Sequence, residues 1–122
     1  LENTLIGFLR KNPKNNKSKA HSKEVSESKK AILHYNVIKK LDNYFLLEVN
    51  LETGRHHQIR VQLSNIGCPI KGDLKYGFDR SNKDASISLH ARHIEFIHPV
   101  KKESISIDAP LPNDAIWNAC LR

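Results

Sequence analysis

The sequence predicts an α+β domain, a mostly antiparallel mixed sheet with one principal helix packed on it. Three stretches carry that reading. Ala31, Leu33, Tyr35 and Val37 alternate with polar residues, Asp42-Asn43 offers a turn, and Phe45, Leu47, Val49 and Leu51 alternate again, as in an antiparallel hairpin with one inward face. Thr53-Gly54 reads as a helix N-cap and Gly67 followed by Pro69 as a stop, so Arg55 to Ile66 is expected to be helical, with Ile59, Leu63 and Ile66 on one buried stripe. Ile105, Ile107 and Ala109 form a last strand, ended by Pro110 and Pro112.

The other segments are read in chain order. Residues 1–9 carry apolar Leu1, Leu5, Ile6 and Phe8 but are too short to settle by periodicity. Residues 11–30 are rich in Lys, Asn and Ser with almost nothing to bury, and are expected to be a solvated loop or floppy hairpin. Pro69 to Asp73 is turn chemistry that continues to Gly77, and a second polar loop spans 79–86. Ile87, Leu89 and Ala91 alternate inward, but Ile94 and Phe96 are one register out, so a bulge is expected near Arg92-His93. Asn113 or Asp114 is placed to cap a closing helical turn carrying Ile116 and Trp117.

Composition bounds the function. A chain of 122 residues is expected to form a single domain, 1–122, around one core. No apolar run approaches a membrane span, the amino-terminal stretch lacks signal-peptide character, and two cysteines cannot form a disulfide framework, so a cytoplasmic protein with free thiols is expected. The net charge of +7 points to a polyanionic partner, RNA or DNA first and an anionic membrane second.

Arg60 is the leading candidate site residue. On the expected helix it lies on the shoulder of the apolar stripe, where a half-buried guanidinium cannot shed its charge and needs a planar carboxylate or phosphate. A nearby Asp or Glu of the same fold is one source of that anion. His56, His57 and Gln58 add donors at the same helix end and suggest a site for something negatively charged. The seven histidines show no metal-ligand spacing, no serine sits in a glycine-framed elbow, and no Gly-rich phosphate loop is present. Asp73 reads as an Asp bonding its own turn, and Tyr76, beside Gly77, is the one aromatic outside strand-core spacing.

Four blocks together are more specific. Thr53-Gly54-Arg55-x-His57-Gln58-Ile59-Arg60, Gly67-x-Pro69-Ile70-x-Gly72-Asp73-x-x-Tyr76-Gly77, Leu89-His90-Ala91 and Phe96-x-His98-Pro99 resemble, in order and spacing, RNA pseudouridine synthases of the RluA type. The resemblance implies the carboxyl-terminal portion of such a catalytic domain and an isomerisation of uridine to pseudouridine in ribosomal or transfer RNA. In that reaction the base is detached at N1 and rejoined through C5, without a cofactor. It also implies a catalytic role for Arg60 beside the family's nucleophilic aspartate, Leu89 lining the uracil pocket, and Arg55, His57 and Gln58 contacting RNA or the catalytic loop.

The chain departs from the pattern at His56, where the family often has Thr or Ser, and at Gln62, where it often has His. None of Asp42, Asp73, Asp79, Asp84, Asp108 or Asp114 lies in the H-R-L-D-R-like setting of the nucleophile. These residues alone are therefore expected to be inactive, and to self-associate through surface that the amino-terminal half would cover. The alternative reading is a noncatalytic RNA-binding module.

Overall fold

The computed structural model describes residues 2–84, 86–90, 93–97, 104–108 and 117. Where one domain is expected, the chain groups into two compact units, Leu1–Ser88 and Leu89–Arg122. The first contains β1 (Glu2–Asn12), β2 (Lys17–His21), β3 (Lys29–Lys40) and β4 (Phe45–Leu51), followed by helix α1 (Gln58–Asn65) and a short 3-10 turn, Leu74–Tyr76. Its sheet runs β2-β1-β3-β4 with every neighbouring pair antiparallel. The second unit holds an antiparallel pair, β5 (His93–Ile97) and β6 (Ser104–Asp108). No helix of the described residues is long and apolar enough to cross a membrane.

The hairpin expected from the alternation at 31–51 is present, with Leu33 opposite Leu51 and Tyr35 opposite Val49. Its outer half is not buried as expected, since Phe45 is 62% and Leu51 49% exposed. The reason is position: β4 is an edge strand, and α1 packs over β1 and β2. Leu9, Ala31, Val61 and Tyr76 form the core cluster under the helix, with Ala20 packed against it and Leu33 fully buried beside it.

Residues 11–30 take the hairpin alternative over 11–21, and residues 22–28 form a loop. β1 continues to Asn12 and β2 pairs with it, Lys11 opposite Ser18 and Leu9 opposite Ala20. The small residues Ser18 and Ala20 turn inward while Lys17 and Lys19 stay out, so a strand forms with little apolar bulk. Asn12 and Asn15 each accept a backbone N–H two residues on, from Lys14 and Lys17, and Asn16 supplies the left-handed residue (φ 53°) that closes the turn.

The helix begins three residues later than expected. Its N-cap position is His57, in the left-handed region at φ 53° with no side-chain cap, and the Gln58 side chain reaches back to tie down the loop before the helix. Gln58 Oε1 accepts from Thr53 Oγ1 at 2.8 Å and from the Arg55 N–H at 2.9 Å. Its amide then donates to Gln62 Oε1, and Gln62 donates to the Ala31 carbonyl in the sheet. The inward face is therefore Gln58, Val61, Gln62 and Leu63, while Ile66 is 43% exposed. Two glutamines are buried because each finds partners, which removes the usual desolvation cost. The stop matches expectation: Gly67 at φ 83° donates to Ser64 O and Cys68 N–H donates to Leu63 O, a Schellman end.

Residues 87–90 carry no strand, contrary to the expectation at Ile87 and Leu89; the Ser88 N–H instead donates to Lys71 O, tying the loop to the turn after the helix. The bulge expected at Arg92 and the turn capped by Asn113 or Asp114 lie outside the described residues. Within them the register shifts in β3, between Val37 and Lys39.

Gly72 has φ +85°, and a Cβ there would meet the Asn82 side chain at 2.7 Å and the Ser86 carbonyl oxygen at 2.8 Å. Gly72→Ala is expected to lower stability by roughly 1–3 kcal/mol, read as a shift in the urea midpoint; a neutral result would mean the loop yields freely.

Candidate active site

The turn after α1 returns Asp73 and Tyr76 against the start of the helix. Asp73, 1% exposed, accepts from Arg60 Nε at 2.9 Å and from Arg60 Nη2 at 2.8 Å, a bidentate pair. The Arg60 guanidinium also lies 5.0 Å from the centre of the Tyr76 ring, and the Lys17 ammonium lies 5.4 Å from that ring. The Asp73 bonds are the main cause of a raised Arg60 pKa, so the guanidinium stays charged at any working pH.

Arg60 is half sheltered, as expected, but its anion is an acid of its own fold. The Asp73 side chain does not bond its own turn, as expected of it; it is the nearby acid of the same fold that was one expected source of the anion for Arg60. Nε and Nη2 are thereby satisfied, and Nη1 has no partner among the described residues. No buried side-chain polar atom among those residues is unpartnered, so Nη1 reaches the surface. One nitrogen of a fixed cation remains to meet an anion.

Tyr76 joins the pieces. Its hydroxyl, 4% exposed with the rest of the residue, accepts the Ser18 N–H at 2.9 Å and lies 2.7 Å from His57 Nδ1. The Tyr76 hydroxyl thus holds two partners at once, and the direction of its bond with His57 Nδ1 follows the imidazole tautomer. Its backbone carbonyl accepts from Ser64 Oγ. His56 stacks on His57 at 3.8 Å between ring centres, its Nδ1 2.7 Å from Ser18 Oγ and its Nε2 3.2 Å from Asn16 Oδ1.

Burial lowers the pKa of both histidines; Lys11, Lys75 and Arg60 add to this at His56, and Arg60, His56 and Lys75 at His57, with Asp73 opposing. Folded values below the ordinary 6.5 mean that the unfolded chain binds more protons in the window beneath it. Stability is therefore fully present above about pH 6.5 and falls as pH drops through it. Urea unfolding at about pH 5 and pH 7.5 is expected to show this loss, and His57→Gln to reduce it; an unchanged pH difference in that variant would contradict it.

Of the other candidates, Arg55 donates through Nε to the Lys30 carbonyl at 2.8 Å, and Gln58 is 3% exposed, its amide engaged with Thr53, Arg55 and Gln62. Leu89 is 40% exposed at the start of the second unit. Asp73, Tyr76, Ser18 and Lys17 complete the constellation and were not singled out by their spacing. Asp73 and Tyr76 did carry a signal, as a carboxylate and an aromatic in the turn after the helix; Ser18 and Lys17 carried none. Among the described residues no group of three His, Cys, Asp or Glu is arranged to hold a metal.

The fold belongs to one class. Solved structures titled Human RNA Pseudouridylate Synthase Domain Containing 1 and 4 align with TM-scores of 0.75 and 0.68 at 24% and 21% identity, covering 98% and 92% of this chain and 52% of each of those. The description "RNA pseudouridylate synthase" belongs to the family model that matches residues 3–65. Ribosomal large subunit pseudouridine synthase D of Zymomonas mobilis is 40% identical over 94 residues, 70% of this chain and 30% of that protein. An uncharacterized RNA pseudouridine synthase of Chloroflexus aurantiacus is 44% identical over 91 residues, 74% of this chain and 29% of that protein. The chain belongs to the RNA pseudouridylate synthase family and is of the RluA type. It spans about three-tenths of the length of these curated relatives.

Proposed function

We propose that these residues form the Arg60-bearing part of a synthase that isomerises uridine to pseudouridine in ribosomal RNA. The observation that carries the reading is the Arg60 guanidinium, locked by Asp73 and Tyr76 with Nη1 at the surface. A cation held this rigidly orients and keeps ionised a carboxylate brought against Nη1, the state a nucleophilic aspartate requires. Asp73 is not that nucleophile, because both its oxygens are committed to Arg60. Transfer RNA is a second possible substrate of the same chemistry.

The test is pseudouridine mapping in unmodified ribosomal RNA. The 122 residues alone are expected to leave uridine unconverted, and the same residues joined behind the corresponding preceding segment of the Zymomonas mobilis relative to form pseudouridine. Absence of product in the joined protein, with its fold intact, would overturn the reading.

The second reading, an RNA-binding module, is favoured by the β1–β2 hairpin. Arg10, Lys11, Lys14, Lys17 and Lys19 line an open groove of about 750 Å³ there. Affinity for RNA is expected to fall steeply with salt, and Lys14→Ala with Lys19→Ala to flatten that slope; no binding at low salt would end this reading.

A further inference from the structure

The turn end of the β3–β4 hairpin gathers aromatic rings and cations that the Arg60 site does not use. Tyr44 and Phe45 adjoin at the entry to β4, and the Phe78 ring lies 6.4 Å from that of Tyr44, tilted by 33°. The Lys71 ammonium is 5.8 Å from the Tyr44 ring centre and the Lys40 ammonium 5.9 Å from that of Phe45. Arg80, exposed, lies close enough to Tyr44 to interact with it electrostatically. Neither lysine makes an ion pair among the described residues. Phe45 is 62% exposed, the most open of the large apolar side chains described in this protein.

A single exposed apolar residue needs no explanation. The Tyr44–Phe78 ring pair with Lys71 and Arg80, and the exposed Phe45 with Lys40 directly across the hairpin, in a chain of net charge +7, offer what single-stranded nucleic acid recognises: π-faces for bases and cations for phosphates. An apolar protein partner would leave these cations desolvated, and a bare polyanion would have no use for the rings.

We propose that the exposed ring of Phe45, next in sequence to Tyr44, is a stacking site for unpaired bases of an RNA strand, with Lys40, Lys71 and Arg80 at the same hairpin end holding its phosphates. The proposal rests on the reading of this chain as an RNA-acting protein and adds a second contact surface to it. Stacking on an aromatic face tolerates any base, so the site holds unpaired RNA without selecting its sequence.

The experiment is fluorescence anisotropy with a labelled oligouridylate and an abasic strand of the same length, using the 122-residue chain. Phe45→Ala is expected to weaken oligouridylate binding about fivefold or more, with the salt slope unchanged and the abasic strand unaffected. Phe45→Trp should restore binding and Phe45→Leu should not. Because the ring is largely exposed, these changes leave folding intact, which urea unfolding checks. Equal binding by Phe45→Ala, or full rescue by Leu, overturns the stacking site; if Lys14→Ala with Lys19→Ala still weakens binding, the RNA reading survives its failure. No binding by the parent chain at low salt overturns both.

Discussion

Arg60→Ala is expected to destabilise the first unit by roughly 3–5 kcal/mol, because it strands the 1%-exposed Asp73 carboxylate without its counterion. A domain of this size is stable by only about 5–15 kcal/mol, so the variant would stand near unfolding at physiological temperature. The cost belongs to the orphaned charge more than to the worth of the pair, which repays its own desolvation with little to spare. The combined variant Arg60→Met with Asp73→Asn is therefore expected to recover more than half the loss, since neither residue then leaves a buried charge. Urea unfolding of the three proteins reads this directly. A loss of less than about 0.5 kcal/mol in Arg60→Ala would mean that the pair is solvated and the site loose.

Tyr76→Ala should cost a comparable amount, roughly 3–5 kcal/mol, by removing a core ring that also supports the Arg60 guanidinium. Tyr76→Phe isolates the hydroxyl. It keeps the ring and its packing, but leaves the buried Ser18 N–H without an acceptor, at about 1–3 kcal/mol, and frees His57 Nδ1. The two histidine rings report the difference by NMR, because His57 loses the hydrogen-bond partner of its Nδ1. An unchanged His57 signal in Tyr76→Phe would show that the hydroxyl does not set it.

Local signals in the sequence were reliable where the cause is local. Gly67 ends the helix because only a residue at ease with positive φ closes a Schellman turn, and the alternation from Ala31 to Leu51 places the hairpin. The helix start was illegible because His57 is held left-handed by partners far along the chain: Tyr76 bonds its ring, and Ser18 bonds the neighbouring His56. Gln58 and Gln62 are buried against their hydropathy by bonds to Thr53, Arg55 and the sheet carbonyl of Ala31. The hairpin at 11–21 did show a period of two, but with Ser18 and Ala20 as its inward residues, which apolarity alone does not flag.

Arg60 itself was legible as a sheltered cation, and its partner was not. A carboxylate thirteen positions away, across a helix end and a turn, has no periodic relation to it. Asp73 changes the physical argument, since the chain needs no outside anion to be stable. It strengthens the mechanical one, because a guanidinium fixed on two nitrogens and stacked on a ring presents its third in one direction.

The direct measurement is tritium release from ribosomal RNA carrying 5-tritiated uridine, catalysed by the joined protein with Arg60 or with Arg60→Lys. Lysine keeps a charge for Asp73 but cannot hold two nitrogens on it and present a third. Release at least about a hundredfold slower, with folding retained, is the predicted result. Release at the parent rate would contradict the claim that this clamped guanidinium serves the reaction.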